Sequence, residues 1–133
     1  MIYLDSCAIV KLIRPEGESQ VLVEWLNERG PVVTSELAEI EVARALRRGS
    51  PARLAAMPGV LTGINRIVMD SAVRATAAAY PDPLLRSLDA IHLATAELAV
   101  AAGKTVEAFV TYDKRLASAA EGAGLAVVAP GAE

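Results

Sequence analysis

Short apolar runs alternate with longer helix-like segments along this chain, and that alternation limits the possible folds more than any other feature. The apolar runs predict strands at 2–5, 32–34, 67–69, 106–112 and 125–129. The segments between them predict helices at 6–14, 18–29, 35–48, 70–80, 87–102 and 114–123, with a broken helix at 51–64. Because parallel strands need such crossovers, we predict an α/β fold with a short parallel central sheet of roughly four or five strands and helices on both faces.

Several residues predict where these helices begin, end and face the core. Gly49 and Gly103 each follow a predicted helix end, where glycine is favoured. Asp70 and Ser87 are predicted N-caps of the helices that follow them. The helix at 18–29 is expected to face inward with Val21, Leu22, Trp25 and Leu26.

Length and composition are those of a single domain. The chain has 133 residues, 53% of them hydrophobic, so we expect one domain over 1–133. No apolar run reaches the ~18–20 residues of a membrane span, and the N-terminus lacks a basic segment and a cleavage site. The single cysteine, Cys7, excludes an internal disulfide and is expected to be a packed thiol. We therefore expect a cytoplasmic protein.

The charge balance argues against a protein that grips nucleic acid over its whole surface. The net charge is −3, and aromatic residues make up only 4% of the chain, too few for a base-stacking platform. Local basic patches remain compatible with these numbers. Arg44 begins an arginine-rich stretch, and Lys114 and Arg115 follow Asp113 directly. A solvated face is the alternative interpretation of these cations.

Three of the five aspartates lie against apolar segments, where a charge needs a partner or a cation. Asp5 follows the first predicted strand, Asp113 follows the strand at 106–112, and Asp89 lies in the first turn of a helix. Glu41 is about two turns into the helix at 35–48. Since sites in parallel α/β sheets form beyond the carboxyl ends of strands, these acids could meet at one edge and bind hard divalent cations.

Each of these acids also has a structural interpretation. Asp5 and Asp113 could cap the helices that follow them. Asp89 could interact with the dipole of its helix, and Glu41 could pair with Arg44 on the surface.

The chain resembles PIN-domain ribonucleases, and more narrowly the VapC toxins of bacterial toxin–antitoxin modules. The resemblance extends from the first strand to the last helix. It is carried by four strings: Tyr3-Leu4-Asp5-Ser6-Cys7-Ala8, Ser35-Glu36-Leu37 with Glu41-Val42-Ala43-Arg44-Ala45-Leu46, Leu88-Asp89-Ala90-Ile91-His92-Leu93-Ala94-Thr95-Ala96, and Thr111-Tyr112-Asp113-Lys114-Arg115-Leu116.

The resemblance implies a PIN-like fold and a metal-dependent endoribonuclease. The residues that would match the family's acidic quartet are Asp5, Glu41, Asp89 and Asp113, with Ser6 and Thr111 as the neighbouring hydroxyls. The resemblance further implies Mg²⁺ or Mn²⁺ as cofactor, RNA as substrate, a homodimer, and a higher assembly with a VapB-like antitoxin. One departure is Cys7, where the family more often has Ser or Thr, because a thiol is a weaker hydrogen-bond donor.

The chemistry agrees with the residue types. Metal ions on carboxylates neutralise phosphate charge and activate water, and such cleavage leaves a 5′-phosphate and a 3′-hydroxyl. A single histidine excludes a ribonuclease that uses a histidine pair. No P-loop is present, and Cys7 stands where a dehalogenase-type phosphatase needs a second aspartate. The alternatives are a catalytically silent PIN-like scaffold and a nuclease that acts on DNA.

Three further expectations concern residues around the acids. His92 is expected to be a core histidine with one satisfied nitrogen. Arg86 is expected to contact either RNA or a backbone carbonyl, and substrate contacts are assigned to Arg44, Arg86, Lys114 and Arg115. An antitoxin would place a basic side chain among the acids, and its helix would lie on apolar surface around Val10, Ile13, Val21 and Trp25.

Overall fold

The computed structural model describes residues 1–132 and contains a five-stranded parallel sheet. The strands are β1 (Ile2–Leu4), β2 (Val32–Ser35), β3 (Asn65–Ile67), β4 (Ala108–Val110) and β5 (Val127–Val128). Their order is β3-β2-β1-β4-β5, and every neighbouring pair is parallel. The predicted α/β class and parallel sheet are therefore confirmed, with β1 at the centre.

Seven α-helices connect the strands and cover both faces of the sheet. They are α1 (Ser6–Ile13), α2 (Ser19–Asn27), α3 (Leu37–Gly49), α4 (Met57–Thr62), α5 (Ser71–Ala79), α6 (Ser87–Ala101) and α7 (Lys114–Gly122), with a 3₁₀ helix at Pro51–Ala56. Side chains alternate across a strand, so Ile2 and Leu4 pack on one side with α1 to α4, whereas Tyr3 packs on the other with α6 and α7. Each face thus has its own apolar core.

The predicted helix signals are confirmed in part. The Asp70 carboxylate accepts a hydrogen bond from Val73 N at 2.9 Å and caps α5. Gly103 has a φ of 90°, as expected past a helix end. Gly49, by contrast, is the last residue of α3 rather than its terminator. Ser87 is the first residue of α6, because the extended residue that precedes the helix is Arg86.

Strand bounds and one helix face also differ from the prediction. The third strand covers Asn65–Ile67 instead of 67–69, because its pairing with β2 fixes its bounds and leaves Val68 exposed. The fourth and fifth strands are shorter than predicted. Val21 is exposed rather than inward, since α2 packs outside α1 and only Leu22 and Leu26, one turn apart, are buried there. Within residues 1–132, no helix has both the length and the apolar character of a membrane span.

Candidate active site at the carboxyl edge of the sheet

The four predicted acids meet at one edge of the sheet. Asp5 follows β1 directly, and Asp113 follows the adjacent strand β4 as the N-cap of α7. Glu41 comes from α3 and Asp89 from the first turn of α6. Arg86 bonds both Asp89 and Asp113, and Glu41 bonds both His92, which follows Asp89 by one helical turn, and Ser6, which follows Asp5 directly, so the four carboxylates are neighbours. We call Asp5, Glu41, Asp89 and Asp113 the acid cluster.

Asp5 is the most buried acid, with 3% of its surface exposed. One carboxylate oxygen accepts from Ala8 N at 2.9 Å and so caps α1, while the other accepts from Thr111 Oγ1 at 2.5 Å. Burial raises the pKa of Asp5 to about 6, although both hydrogen bonds favour the ionised form. Asp5 is therefore a helix cap and a member of the acid cluster at once.

Asp89 and Asp113 share one cation, the Arg86 guanidinium. Arg86 Nε lies 3.3 Å from Asp89 Oδ2, and Nη2 lies 3.3 Å from Asp113 Oδ2. Asp113 also accepts from Leu116 N at 2.9 Å, which confirms that it caps α7. Burial, followed by repulsion from Asp113, raises the pKa of Asp89. Of the two contacts expected for Arg86, the backbone carbonyl is wrong: the guanidinium donates to carboxylates.

Glu41 turns inward instead of pairing with Arg44. Its Oε1 accepts from Ser6 Oγ at 2.5 Å and lies 2.7 Å from His92 Nε2. Burial opposes ionisation of Glu41, but the bonds to His92 and Ser6 outweigh it and lower the pKa. The surface pair with Arg44 is therefore wrong, and Arg44 stays exposed at the edge of the site.

His92 is the residue whose part in this site the sequence interpretation missed. It is 1% exposed, and both ring nitrogens are bonded, since Nδ1 lies 2.7 Å from Tyr3 Oη. The expectation of one satisfied nitrogen is thus wrong. The strand period puts Tyr3 and Asp5 on one face, and the helix period puts His92 beside Asp89. These two spacings together were the sequence signal that could have placed His92 in the site.

A groove of about 670 Å³ lies beside the acid cluster, between α1 and α3. Ser6, Cys7, Glu41 and Asp113 line its acidic end, and its remaining wall includes Ile40, Leu88, Arg44 and Arg48. Cys7 is exposed there, so the expected packed thiol is wrong.

The apolar surface predicted on the N-terminal helices is also wrong in part, because Val10 and Ile13 are buried. Ile40 and Leu88, at 64% and 47% exposed, supply the apolar surface instead.

The donor types of the acid cluster fit a hard divalent cation, because carboxylates flanked by hydroxyls are the ligands of Mg²⁺ and Mn²⁺. As the side chains stand, no three Asp, Glu, His or Cys residues among residues 1–132 are grouped around one metal position. The Arg86 guanidinium occupies the position of a cation between Asp89 and Asp113. The Arg86 side chain is 63% exposed.

Sequence comparison relates the chain to ribonucleases. The profile of the PIN domain matches residues 2–122. Ribonuclease VapC35 of Mycobacterium tuberculosis is 54% identical over 133 residues, covering 98% of both chains. Ribonuclease VapC46 of the same organism is 45% identical over 131 residues, covering 97% of both.

Solved structures show the same fold at low sequence identity. A toxin–antitoxin complex from Klebsiella pneumoniae has a TM-score of 0.74 at 20% identity and covers 98% of both chains. The VapC20 toxin of Mycobacterium tuberculosis, described as cleaving the sarcin–ricin loop, has a TM-score of 0.72 at 19% identity and covers 98% of this chain and 100% of its own.

Proposed function

Because this chain belongs to the PIN domain family, we propose that it is a divalent-metal-dependent endoribonuclease and the toxin of a toxin–antitoxin pair. The observation that carries the proposal is the acid cluster, whose four carboxylates come from four separate segments and are linked through Ser6, His92 and Arg86, with Glu41 and Asp113 lining an open groove. Full-length relatives named ribonucleases, at 54% and 45% identity, support RNA as the substrate. We place this activity in the cytoplasm, with the RNA.

We propose that Asp5, Asp89 and Asp113 hold Mg²⁺ or Mn²⁺, and that Glu41 binds a second ion or orients the attacking water. When bound, the metal neutralises phosphate charge and activates water. Thr111 and the Ala8 amide fix the two oxygens of Asp5, so this carboxylate is held in place before a metal arrives. A metal held by Asp89 and Asp113 would take the place of the Arg86 guanidinium, which would then be available to the RNA.

Substrate binding is assigned to exposed cations around the groove. Arg44 lines the groove, and Arg86 bonds Asp113. The two residues that follow Asp113 in the sequence, Lys114 and Arg115, are exposed. These side chains would contact phosphates, which position RNA without reading its sequence. Such contacts compensate locally for the net charge of −3.

We propose a VapB-like antitoxin that places a basic side chain in the acid cluster and apolar side chains against Ile40 and Leu88. The acid cluster has one exposed arginine for four carboxylates, so it attracts a second cation. The structural neighbour described as a toxin–antitoxin complex supports such a partner. A homodimer and a higher assembly with the antitoxin stay predictions, which light scattering of the free and co-expressed toxin tests.

The proposal is tested by incubating the purified chain with a structured RNA, or with DNA of the same sequence, in chelator, Mg²⁺ or Mn²⁺. We expect internal cleavage of RNA only with metal, and product 5′ ends that a kinase labels only after phosphatase treatment. Cleavage of DNA instead of RNA would identify DNA as the substrate. A chain that cleaves neither would be a catalytically silent scaffold. Sequencing RNA 5′ ends after induced expression would identify the target.

The toxin–antitoxin part has a separate test. Co-expression with the neighbouring open reading frame should restore growth, and a small protein should co-purify. If growth is not rescued and nothing co-purifies, this part of the proposal fails while the nuclease assay stands.

A further inference from the structure

A buried chain of hydrogen bonds connects the central strand to the acid cluster. Tyr3, on β1, is fully buried, and its Oη lies 2.7 Å from His92 Nδ1. His92 Nε2, on the far side of the same ring, lies 2.7 Å from Glu41 Oε1 and 3.1 Å from Ser6 Oγ, which itself donates to Glu41 Oε1. Glu41 is thus coupled through one imidazole to a tyrosine in the core.

The hydrogen positions on this chain follow from donor and acceptor chemistry. A phenol keeps its proton at neutral pH, so Tyr3 Oη has a hydrogen to donate. A phenol that donates to Nδ1 leaves the ring proton on Nε2, and a carboxylate such as Glu41 can only accept.

We infer that His92 is a positioning residue, which donates Nε2–H to Glu41 and aims this carboxylate at the other three acids, with Tyr3 holding Nδ1 as the acceptor. The inference rests on the proposed function of the acid cluster. His92 does not touch the substrate or a metal in this role; it acts through Glu41. The alternative is that His92 only fills the core.

The position of Glu41 shows why such a donor is needed. Its carboxylate is 19% exposed, and no cation of residues 1–132 forms a salt bridge with it other than the imidazole, which is charged only if protonated. The helix backbone of α3 fixes only the start of a long side chain with several rotatable bonds. Ser6 and His92 both bond Oε1, so together they select one rotamer. Mutation of a residue that hydrogen-bonds a metal ligand typically lowers metal affinity or activity by roughly 10- to 100-fold.

Two substitutions of similar size separate positioning from packing. In His92→Gln the side-chain amide reaches about as far as Nε2 and keeps a donor for Glu41. In His92→Asn the shorter amide can bond Tyr3 but does not reach Glu41. We expect His92→Asn to weaken Mn²⁺ binding, measured by calorimetry, and to lower kcat by roughly 10-fold or more with KM for RNA unchanged. We expect His92→Gln to recover most of both.

A matched pair of hydroxyl deletions tests the role of Tyr3. Tyr3→Phe removes the partner of Nδ1, whereas Tyr80→Phe removes a comparable bond to Glu97, also on α6, at 2.6 Å. We expect Tyr3→Phe to weaken Mn²⁺ binding several-fold and Tyr80→Phe to leave it unchanged. Equal effects of the two deletions would overturn the role of Tyr3.

The single histidine allows a direct reading by NMR, independent of metal and of activity. Long-range ¹H–¹⁵N correlation spectra of the metal-free protein should show a protonated Nε2 and an unprotonated Nδ1. A proton on Nδ1 alone would overturn the inference, and a doubly protonated ring would overturn the role of Tyr3.

Failure of the inference is distinguishable from failure of the proposed function. If Glu41→Gln binds Mn²⁺ and cleaves RNA like the wild type, the proposed role of Glu41 fails. If Glu41→Gln is inactive while His92→Asn matches the wild type, only the positioning role fails. If His92→Asn and His92→Gln lose Mn²⁺ affinity equally, in step with their melting temperatures, His92 is a packing residue.

Discussion

Two clusters of charge lie along the same groove and behave in opposite ways. In the ion-pair cluster, Lys11 Nζ lies 2.7 Å from Glu16 and 2.9 Å from Glu18, and Arg14 lies 2.7 Å from Glu16. Hydrogen bonds from these cations lower the pKa of both glutamates. In the acid cluster, four carboxylates have one exposed arginine, and burial raises the pKa of Asp5 and Asp89, although bonds from His92 and Ser6 outweigh burial and lower the pKa of Glu41.

The difference separates a structural arrangement from a functional one. In the ion-pair cluster, two acids face two cations, so their charges compensate one another without a further ligand. Four acids with one exposed arginine are only partly compensated in charge, so binding of a divalent ion or a basic side chain would stabilise the protein. Strongly perturbed carboxylates in a cleft are typical of functional sites.

The largest expected difference between the two clusters is in RNA cleavage after one acid has been removed from each. Asp5→Asn, Asp89→Asn, Asp113→Asn or Glu41→Gln should lower kcat by about 100-fold or more, because each removes a ligand or orienter of the proposed metal. Glu18→Gln, in the ion-pair cluster, should cleave like the wild type. Cleavage assays with Mg²⁺ measure both, and an Asp5→Asn variant that cleaves at the wild-type rate would contradict the assignment.

Metal should stabilise only the protein with an intact acid cluster. At an Mn²⁺ concentration about 100 times Kd, the free energy of unfolding should rise by about 2.7 kcal/mol. The gain should be much smaller for Asp5→Asn and unchanged for Glu18→Gln. Melting curves in chelator and in Mn²⁺ test this, and an equal gain in all three proteins would place the ion elsewhere.

The pH dependence of stability should reveal the raised pKa of Asp5. Between its unfolded value of 3.8 and its folded value of about 6, the folded state keeps a proton that the unfolded state has lost. Stability in chelator should therefore fall as pH rises through this window. Asp5→Asn should show a smaller fall, because only Asp89 of the acid cluster then keeps a raised pKa, and its free energy of unfolding should be ~1–2 kcal/mol larger than that of the wild type at neutral pH.

The difference between the two proteins is the quantity to measure. Glu16, Glu18 and Glu41 have lowered pKa values and act in the opposite direction at more acidic pH, in both proteins alike. If Asp5→Asn is destabilised in chelator at neutral pH, the hydrogen bonds that Asp5 accepts from Ala8 N and Thr111 outweigh the cost of ionising it in the folded state.

A smaller effect is expected for Arg86, the one cation of the acid cluster. Arg86→Ala removes a competitor for metal and should tighten Mn²⁺ binding by a few-fold, since exposed ion pairs are worth up to about 1 kcal/mol. KM for RNA should rise, because the same side chain is proposed to contact phosphate. Calorimetry and steady-state kinetics separate the two, and weaker Mn²⁺ binding would show that Arg86 supports the cluster.

The smallest effect is expected in the ion-pair cluster itself. Glu18→Gln leaves Lys11 paired with Glu16, so its melting temperature should change little, and the change should vanish at high salt. Melts at low and high ionic strength measure it. A large decrease in melting temperature that persists at high salt would show that the charges of the ion-pair cluster do not compensate one another in this way.

Much of this protein follows from its sequence, because the relevant information is local. The hydrophobic period and the helix-breaking residues can be recognised within a few consecutive positions. The element order, the parallel sheet and the caps at Asp5, Asp70 and Asp113 were therefore predictable. The position of the acids at strand ends and helix starts also predicted that they meet at one edge.

The tertiary structure alone decided how those acids are partnered. Whether Glu41 pairs with Arg44 or with His92 depends on which side of α3 faces α6, and the two residues are 51 positions apart in the chain. The Tyr3–His92 bond, the Arg86 bridge and the exposure of Cys7 likewise depend on how helices cross the sheet. Sequence periodicity places a side chain on a face of its own element. Only packing decides what meets that face, since burial and partner distance set each carboxylate's charge and hence its chemistry.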